Sequence, residues 1–287
     1  MEKNMSSRRL RFLAMTVIGF AFVSSAELAL ADDNPTATAP APAAAPAAAA
    51  ATAASAPSEQ KPLRKVEWTF DGIFGTVDKQ SAQRGFQVYK EVCSACHSLN
   101  RIAFRNLQDI GFTEAEVRAL AASYQINDGP NDQGDMFQRP GKPSDYFVPP
   151  APNEQAARAA HGGAYPPDLS LIIKAREDGP NYVYSLLTGF TTPPQGVTLA
   201  DNQYYNPYFP GQKLAMPPPL SDGQVTYADG TPATVDQMAR DVVTFLQWAA
   251  EPEMEARKQM GIKVLIYLAI FSVFLYIAKR NIWRKLH

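Results

Sequence analysis

Cysteine and histidine are scarce in this chain of 287 residues, which contains two cysteines and three histidines. A second cysteine pair, which would complete a tetrahedral zinc site or a disulfide framework, does not exist. Alternating runs rich in Val, Ile and Thr are also missing, so the strand signals are weak. The missing cysteines exclude proteins built around a cysteine-bound structural zinc or a disulfide framework. The missing alternating runs argue against an all-β fold.

The two cysteines lie in the run Cys93-Ser94-Ala95-Cys96-His97. In a Cys-x-x-Cys-His run the two thiols can add across the vinyl groups of a haem, and the adjacent histidine is placed to bind the iron. The run therefore predicts one covalently bound haem c with His97 as the proximal ligand. A redox-active dithiol, the main alternative, is expected between a buried strand and a helix, whereas residues 84–92 predict a helix that leads into the motif.

The region 61–256 predicts one mostly α-helical, cytochrome c-like domain with long extended loops. Thr113 with Glu116, and Thr234 with Gln237, have the spacing of helix-capping boxes. Residues 235–248 carry one apolar stripe. Long Pro-, Gly- and Asn-containing stretches separate the helices.

The N-terminal sequence predicts export. Residues 1–31 have a basic start, a short apolar run and the ending Ala29-Leu30-Ala31, as in a secretory signal peptide cleaved before Asp32. An uncleaved anchor is the alternative. The signal peptide predicts export to a bacterial periplasm. Residues 32–60 are rich in Ala and Pro and predict a disordered tether.

The C-terminal residues 257–287 predict a single transmembrane anchor with a short basic cytoplasmic tail. Gly261 to Ala278 is apolar except for Lys263 and would measure about 27 Å as a helix, close to one bilayer core. Basic residues follow the apolar run and favour a cytoplasmic C-terminus in the inner membrane. A buried helix of a globular domain is the alternative.

A distal iron ligand would make the haem an electron carrier, whereas an open iron site suits ligand binding. Met216 is the best candidate, because the prolines at 217–219 restrict its loop. Met136 is the competitor, and Met238 lies on the helix stripe and is more simply a core residue. His161, before two glycines, could also reach a haem.

Several blocks together resemble the cytochrome c1 family, the haem subunit of the cytochrome bc1 complex, in its bacterial form. The resemblance runs from Trp68 to the C-terminus. Its blocks are residues 84–90, Cys93–His97, 128–131, 139–142, 166–170, 185–189, 205–211 and 244–252.

The resemblance implies a role for each candidate residue. Cys93 and Cys96 would hold the haem, with His97 and Met216 on the iron. Arg176 and Tyr182 match positions that bind a haem propionate, and a carbonyl of Pro166 or Pro167 resembles the acceptor that orients the proximal histidine.

The implied function is electron transfer within a quinol:cytochrome c oxidoreductase, with no bond chemistry by the chain itself. The implied partners are cytochrome b, a Rieske iron-sulfur protein, a soluble c-type cytochrome and membrane lipid, with no nucleic acid. Between residues 32 and 257 the chain has 26 acidic and 17 basic residues, a net charge of −9 that can steer a basic partner. The alternatives are a membrane-anchored cytochrome c of another respiratory complex, a haem peroxidase and a thiol-disulfide oxidoreductase.

Overall fold

Two helices cross at the centre of this computed structural model, which describes residues 60–285. Helix α1 spans Lys79–Glu91, and the side chain of Asp78 caps it by accepting hydrogen bonds from the next backbone N–H groups. Helix α5, which packs against α1, spans Val235–Ala250 near the end of the domain. The side chain of Thr234 caps its N-terminus. The sequence predicted both helices, although α1 begins five residues earlier than the predicted start at Arg84.

The crossing of α1 and α5 depends on Gly85. A Cβ atom at this position would lie 2.0 Å from the backbone oxygen of Asp241 and 2.8 Å from Cβ of Phe245. With no side chain at Gly85, the helices approach closely enough for the rings of Phe86 and Tyr89 to pack on Phe245, at centroid distances of 5.6 and 5.8 Å.

A buried ion pair links the same two helices. The guanidinium of Arg84 donates two hydrogen bonds of 2.9 Å to the carboxylate of Asp241, which has no exposed surface. The hydroxyl of Ser81 donates a third, at 2.7 Å. Because the buried carboxylate is fully partnered, it does not carry the free-energy cost of an isolated charge.

The remaining elements are short helices and two small hairpins. Thr113 and Glu116 form the predicted capping box, and the mostly α prediction is confirmed. The elements are helices α2 (Glu114–Ala122), α3 (Glu154–Ala160) and α4 (Gly179–Thr188), 3₁₀ helices at Cys93–Ala95 and Phe104–Ile110, and strands β1 (Gln125–Asp128), β2 (Phe137–Pro140), β3 (Tyr204–Tyr205) and β4 (Lys213–Leu214). Strands β1 and β2 pair antiparallel, as do β3 and β4, and α4 packs on α5.

A long helix, α6, spans Met254–Arg284 and begins after the break at Pro252. It is the one helix within residues 60–285 that is long and apolar enough to cross a membrane. Its first turn belongs to the domain, because the side chain of Met254 is only 3 % exposed and packs in the core. The helix therefore begins three residues before the predicted anchor boundary at 257. The predicted signal peptide and all of the predicted tether except Gln60 lie outside the described residues.

Candidate functional site

The Cys-x-x-Cys-His run begins two residues after the end of α1. Cys93–Ala95 forms one 3₁₀ turn, and the backbone N–H groups of Cys96 and His97 both donate to the oxygen of Cys93, at 3.1 and 2.9 Å. This turn brings both thiols and the imidazole onto one short stretch of chain. Desolvation, helped by the neighbouring Cys96, raises the pKa of the Cys93 thiol to about 12.

The imidazole of His97 is oriented by a backbone carbonyl. Its Nδ1 lies 2.8 Å from the oxygen of Pro167. Because a carbonyl oxygen only accepts hydrogen bonds, Nδ1 carries the hydrogen and Nε2 keeps a lone pair that can bind a metal. Burial lowers the pKa of His97, although the bond to Pro167 opposes this shift. Of the two adjacent prolines named by the sequence, Pro167 is the one in contact.

Asp168 joins the segment after His97 to the segment that carries Pro167. Its carboxylate accepts hydrogen bonds from the Ser98 hydroxyl at 2.8 Å, from the Asn100 N–H at 2.8 Å and from the Ser170 N–H at 2.9 Å. Burial alone would raise the pKa of Asp168, but these hydrogen bonds outweigh it and hold the pKa below its usual value. Sequence reasoning assigned no role to Asp168; the only local signal is its ability to bond the backbone two residues on.

Met216 lies just after strand β4 and is half-buried. The β3–β4 hairpin that leads to it is tied to α4 by Asn206, whose side-chain amide donates to the backbone oxygen of Leu186 at 2.8 Å. The competing methionines lie elsewhere in the fold: Met136 is 68 % exposed, and Met238 is fully buried in the core on α5.

His161 ends helix α3 and is half-buried. Its electrostatic interaction with His97 lowers the pKa of His97, after the larger effects of burial and the Pro167 bond. The structure therefore places the second candidate imidazole near the motif.

Arg176 and Tyr182 are brought together at the start of α4. The guanidinium carbon of Arg176 lies 5.9 Å from the centroid of the Tyr182 ring. Arg176 is exposed, while Tyr182 is only 7 % exposed. An exposed guanidinium beside a buried phenol is a suitable pair for an anionic group such as a carboxylate.

The chain belongs to the cytochrome c1 family. The model of that family matches residues 68–286. A cytochrome c1 from Rhodospirillum rubrum is 50 % identical over 238 residues, which are 77 % of this chain and 88 % of that protein. A mitochondrial cytochrome c1 heme protein from Solanum tuberosum is 56 % identical over 203 residues, 71 % of this chain and 78 % of that protein.

A protein named cytochrome b/c1 from Bradyrhizobium diazoefficiens is 53 % identical over 252 residues. The match covers 80 % of this chain but only 36 % of that relative, so the chain spans about a third of its length. Proteins of the cytochrome c1 family are haem proteins and electron-transport subunits of the bc1 oxidoreductase complex. The apolar helix α6 is consistent with membrane anchoring in such a subunit.

Proposed function

We propose that the chain holds one haem c, which Cys93 and Cys96 would bind through thioether bonds and whose iron His97 and Met216 would ligate. The observation that carries this proposal is the bond between Nδ1 of His97 and the carbonyl of Pro167, which leaves Nε2 of the histidine free directly after the cysteine pair. When bound, the haem supplies a one-electron iron couple.

The residues of this chain then have distinct tasks. The thiols of Cys93 and Cys96 hold the group, Pro167 fixes the ring of His97, and Met216 presents a thioether sulfur, which favours electron transfer and a raised potential. Arg176 and Tyr182, which lie side by side, would bind a haem propionate.

The thiol-disulfide alternative fits the site poorly. The motif follows helix α1 and itself begins with a 3₁₀ turn, and within residues 60–285 no strand leads into it. A reactive dithiol needs a lowered thiol pKa, whereas burial raises the pKa of Cys93. A haem peroxidase would need an open sixth position, which a bound Met216 would fill.

The proposed path runs from a Rieske iron-sulfur protein to this haem and on to a soluble c-type cytochrome, with the chain docked beside cytochrome b. The domain faces the periplasm and the C-terminus the cytoplasm of the inner membrane. Family membership supports the complex. The apolar length of α6 and the basic residues that follow its apolar run support the topology.

Spectra of the purified membrane complex test the haem proposal. We expect the haem to stay with the polypeptide under denaturing conditions, a c-type haem spectrum in alkaline pyridine, and no carbon monoxide binding to the reduced protein at neutral pH. Cytochrome b and a Rieske protein should co-purify. Absence of haem from this polypeptide once it is separated from the denatured complex would contradict the thioether bonds, and binding of carbon monoxide would contradict the assigned iron ligands.

The soluble acceptor is tested by a salt series. The net charge of −9 between residues 32 and 257 should steer a basic cytochrome c toward the domain, and salt should screen this attraction. Stopped-flow oxidation of the reduced complex should therefore slow between low and physiological ionic strength. An acidic cytochrome c is the matched control, and a rate with the basic one that does not fall would contradict steering.

A further inference from the structure

The loop formed by residues 69–76 exposes two adjacent large apolar side chains. Ile73 is 68 % exposed and Phe74 is 83 % exposed, which makes Phe74 the most exposed large apolar side chain within residues 60–285. Single apolar side chains on a surface are ordinary, whereas contiguous exposed apolar surface marks interaction sites, and Ile73 and Phe74 are neighbours in the chain. The haem site and its assigned residues do not use this pair.

This loop is fixed to the base of α6. The Thr76 N–H donates to the oxygen of Thr69 at 3.0 Å, which closes the loop. The ammonium of Lys258 then donates to the backbone oxygens of Phe70 and Gly75, at 2.7 and 3.0 Å. The backbone on both sides of the exposed pair is therefore held by one side chain of α6.

A second contact fixes the residue after the loop. The N–H of Val77 donates to the carboxylate of Glu255 at 2.9 Å. Lys258 and Glu255 lie about one turn apart on α6. Side chains from two successive turns of the helix therefore hold the loop and Val77, the residue that follows it.

The position of the loop along α6 matches the surface of the membrane that α6 would cross. Lys258 precedes Gly261, the first residue of the apolar run, by three residues, which is about 4.5 Å of helix rise. The polar layer on each side of a bilayer core is about 5–8 Å thick. Met260 is already 59 % exposed, so the apolar surface of α6 begins two residues beyond the side chain that holds the loop.

We propose that Ile73 and Phe74 insert into the lipid headgroup layer beside α6 and give the domain a second contact with the bilayer. The inference rests on the proposed membrane insertion of α6. Phenyl and aliphatic side chains are stabilised at this boundary. A domain held by a helix and a loop has a fixed tilt, whereas a domain held by the helix alone can rock about it.

Spin labels on the full-length, haem-loaded chain in phosphatidylcholine vesicles test this inference. A nitroxide is attached to Ile73→Cys or Phe74→Cys, and its collisions with oxygen, which enters lipid, are compared with its collisions with a water-soluble nickel chelate. Met136→Cys is the matched control, because Met136 and Ile73 are both 68 % exposed. Ser272→Cys, in the middle of α6, reports membrane insertion of the helix. The chain without an added cysteine measures any labelling of Cys93 or Cys96.

We expect the oxygen-to-nickel collision ratio at positions 73 and 74 to exceed that at 136 several-fold but to stay below that at 272, because position 272 lies near the centre of the bilayer core. A ratio at 74 equal to that at 136, with lipid contact at 272, would overturn the loop proposal alone. A label at 74 that is open to water in vesicles but shielded from both agents in the purified complex would assign the loop to a protein partner and would also overturn it. A label at 272 open to the nickel chelate would overturn the insertion of α6 and the loop proposal with it.

Discussion

At His97, one backbone carbonyl decides which ring nitrogen is available to a metal. The carbonyl oxygen of Pro167 accepts a hydrogen bond from Nδ1–H of His97. The neighbouring Asp168 accepts hydrogen bonds from the Ser98 hydroxyl and the Asn100 N–H, which join the segment after His97 to the segment of Pro167. The imidazole is therefore oriented by a contact within the protein itself. This pre-orientation reduces the conformational entropy that ligation would otherwise cost.

Met216→Leu should keep the covalent haem but lower its reduction potential, because methionine ligation is what raises the potential. Redox titration of the membrane complex measures the shift, and the methionine-to-iron absorption band should disappear. Met136→Leu is the matched control, since Met136 is largely exposed. An unchanged potential in Met216→Leu, together with a changed one in the control, would move the assignment to Met136.

Asp168→Asn should destabilise the domain by about 2 kcal/mol at neutral pH, because the Asn100 and Ser170 N–H groups lose a charged acceptor. The pKa of Asp168 is lower in the folded protein than its usual value, so its stabilising effect is present at neutral pH and is lost as the pH falls through the folded pKa. The difference in Tm between parent and variant should therefore shrink on acidification.

Thermal unfolding of the haem-loaded protein from about pH 7 to about pH 3, below the usual Asp pKa, measures this difference. Asp132→Asn is the control, because Asp132 is exposed and makes no hydrogen bond with its side chain among the described residues. A Tm difference for Asp168→Asn that stays constant with pH would show that the lost contacts are not those of the carboxylate.

At the scale of elements, the predictable parts are those that local sequence determines. The apolar stripe of α5, the capping box at Thr113 and the break at Pro252 depend on neighbours within a few residues, and all three occur in the structure. The start of α1 was predicted too late because its first turn, Lys79 to Ala82, is mostly polar and carries little hydrophobic periodicity. The cap at Asp78 determines that start instead.

The contacts that local sequence could not predict join distant segments. His97 and Pro167 are 70 residues apart, and Phe70 and Lys258 are 188 apart. Two adjacent prolines offer the same carbonyl chemistry, and only the packing of their segment on the motif selects Pro167. The candidate residues were thus predictable by type, and the family resemblance narrowed the partner of His97 to two prolines. The choice of Pro167 and the contact between Lys258 and Phe70 required the fold.

Gly85→Ala should be strongly destabilising because α1 and α5 touch at this position. The added Cβ would lie 2.0 Å from a backbone oxygen, so one helix must move, at a cost of about 3 kcal/mol. Gly261→Ala is the matched control, since it also replaces a helical glycine but has nothing within 4 Å. Thermal unfolding should show a large loss of Tm for the first variant only, and equal values for both would contradict the close crossing.

At the scale of the whole molecule, the domain and the anchor share the first turns of α6. Met254 is buried in the core, Glu255 accepts from Val77, and Lys258 donates to two backbone oxygens of the 69–76 loop. The boundary of the folded domain therefore lies inside the helix. The acidic domain and the apolar run meet between Lys258 and Gly261.

Two truncations test where the domain ends. A chain that stops after Met260 keeps Met254, Glu255 and Lys258 and should leave membranes after a high-salt and carbonate wash, because the apolar run is gone and two inserted loop side chains give only reversible binding.

A chain that stops after Glu253 should also be released but should be less stable by about 3 kcal/mol, from the lost burial of Met254 and the lost hydrogen bonds to the loop. Fractionation and thermal unfolding measure both effects. Retention of the longer truncation in washed membranes would point to a second anchor, such as an uncleaved segment 1–31, and equal stability of the two would place the end of the domain before α6.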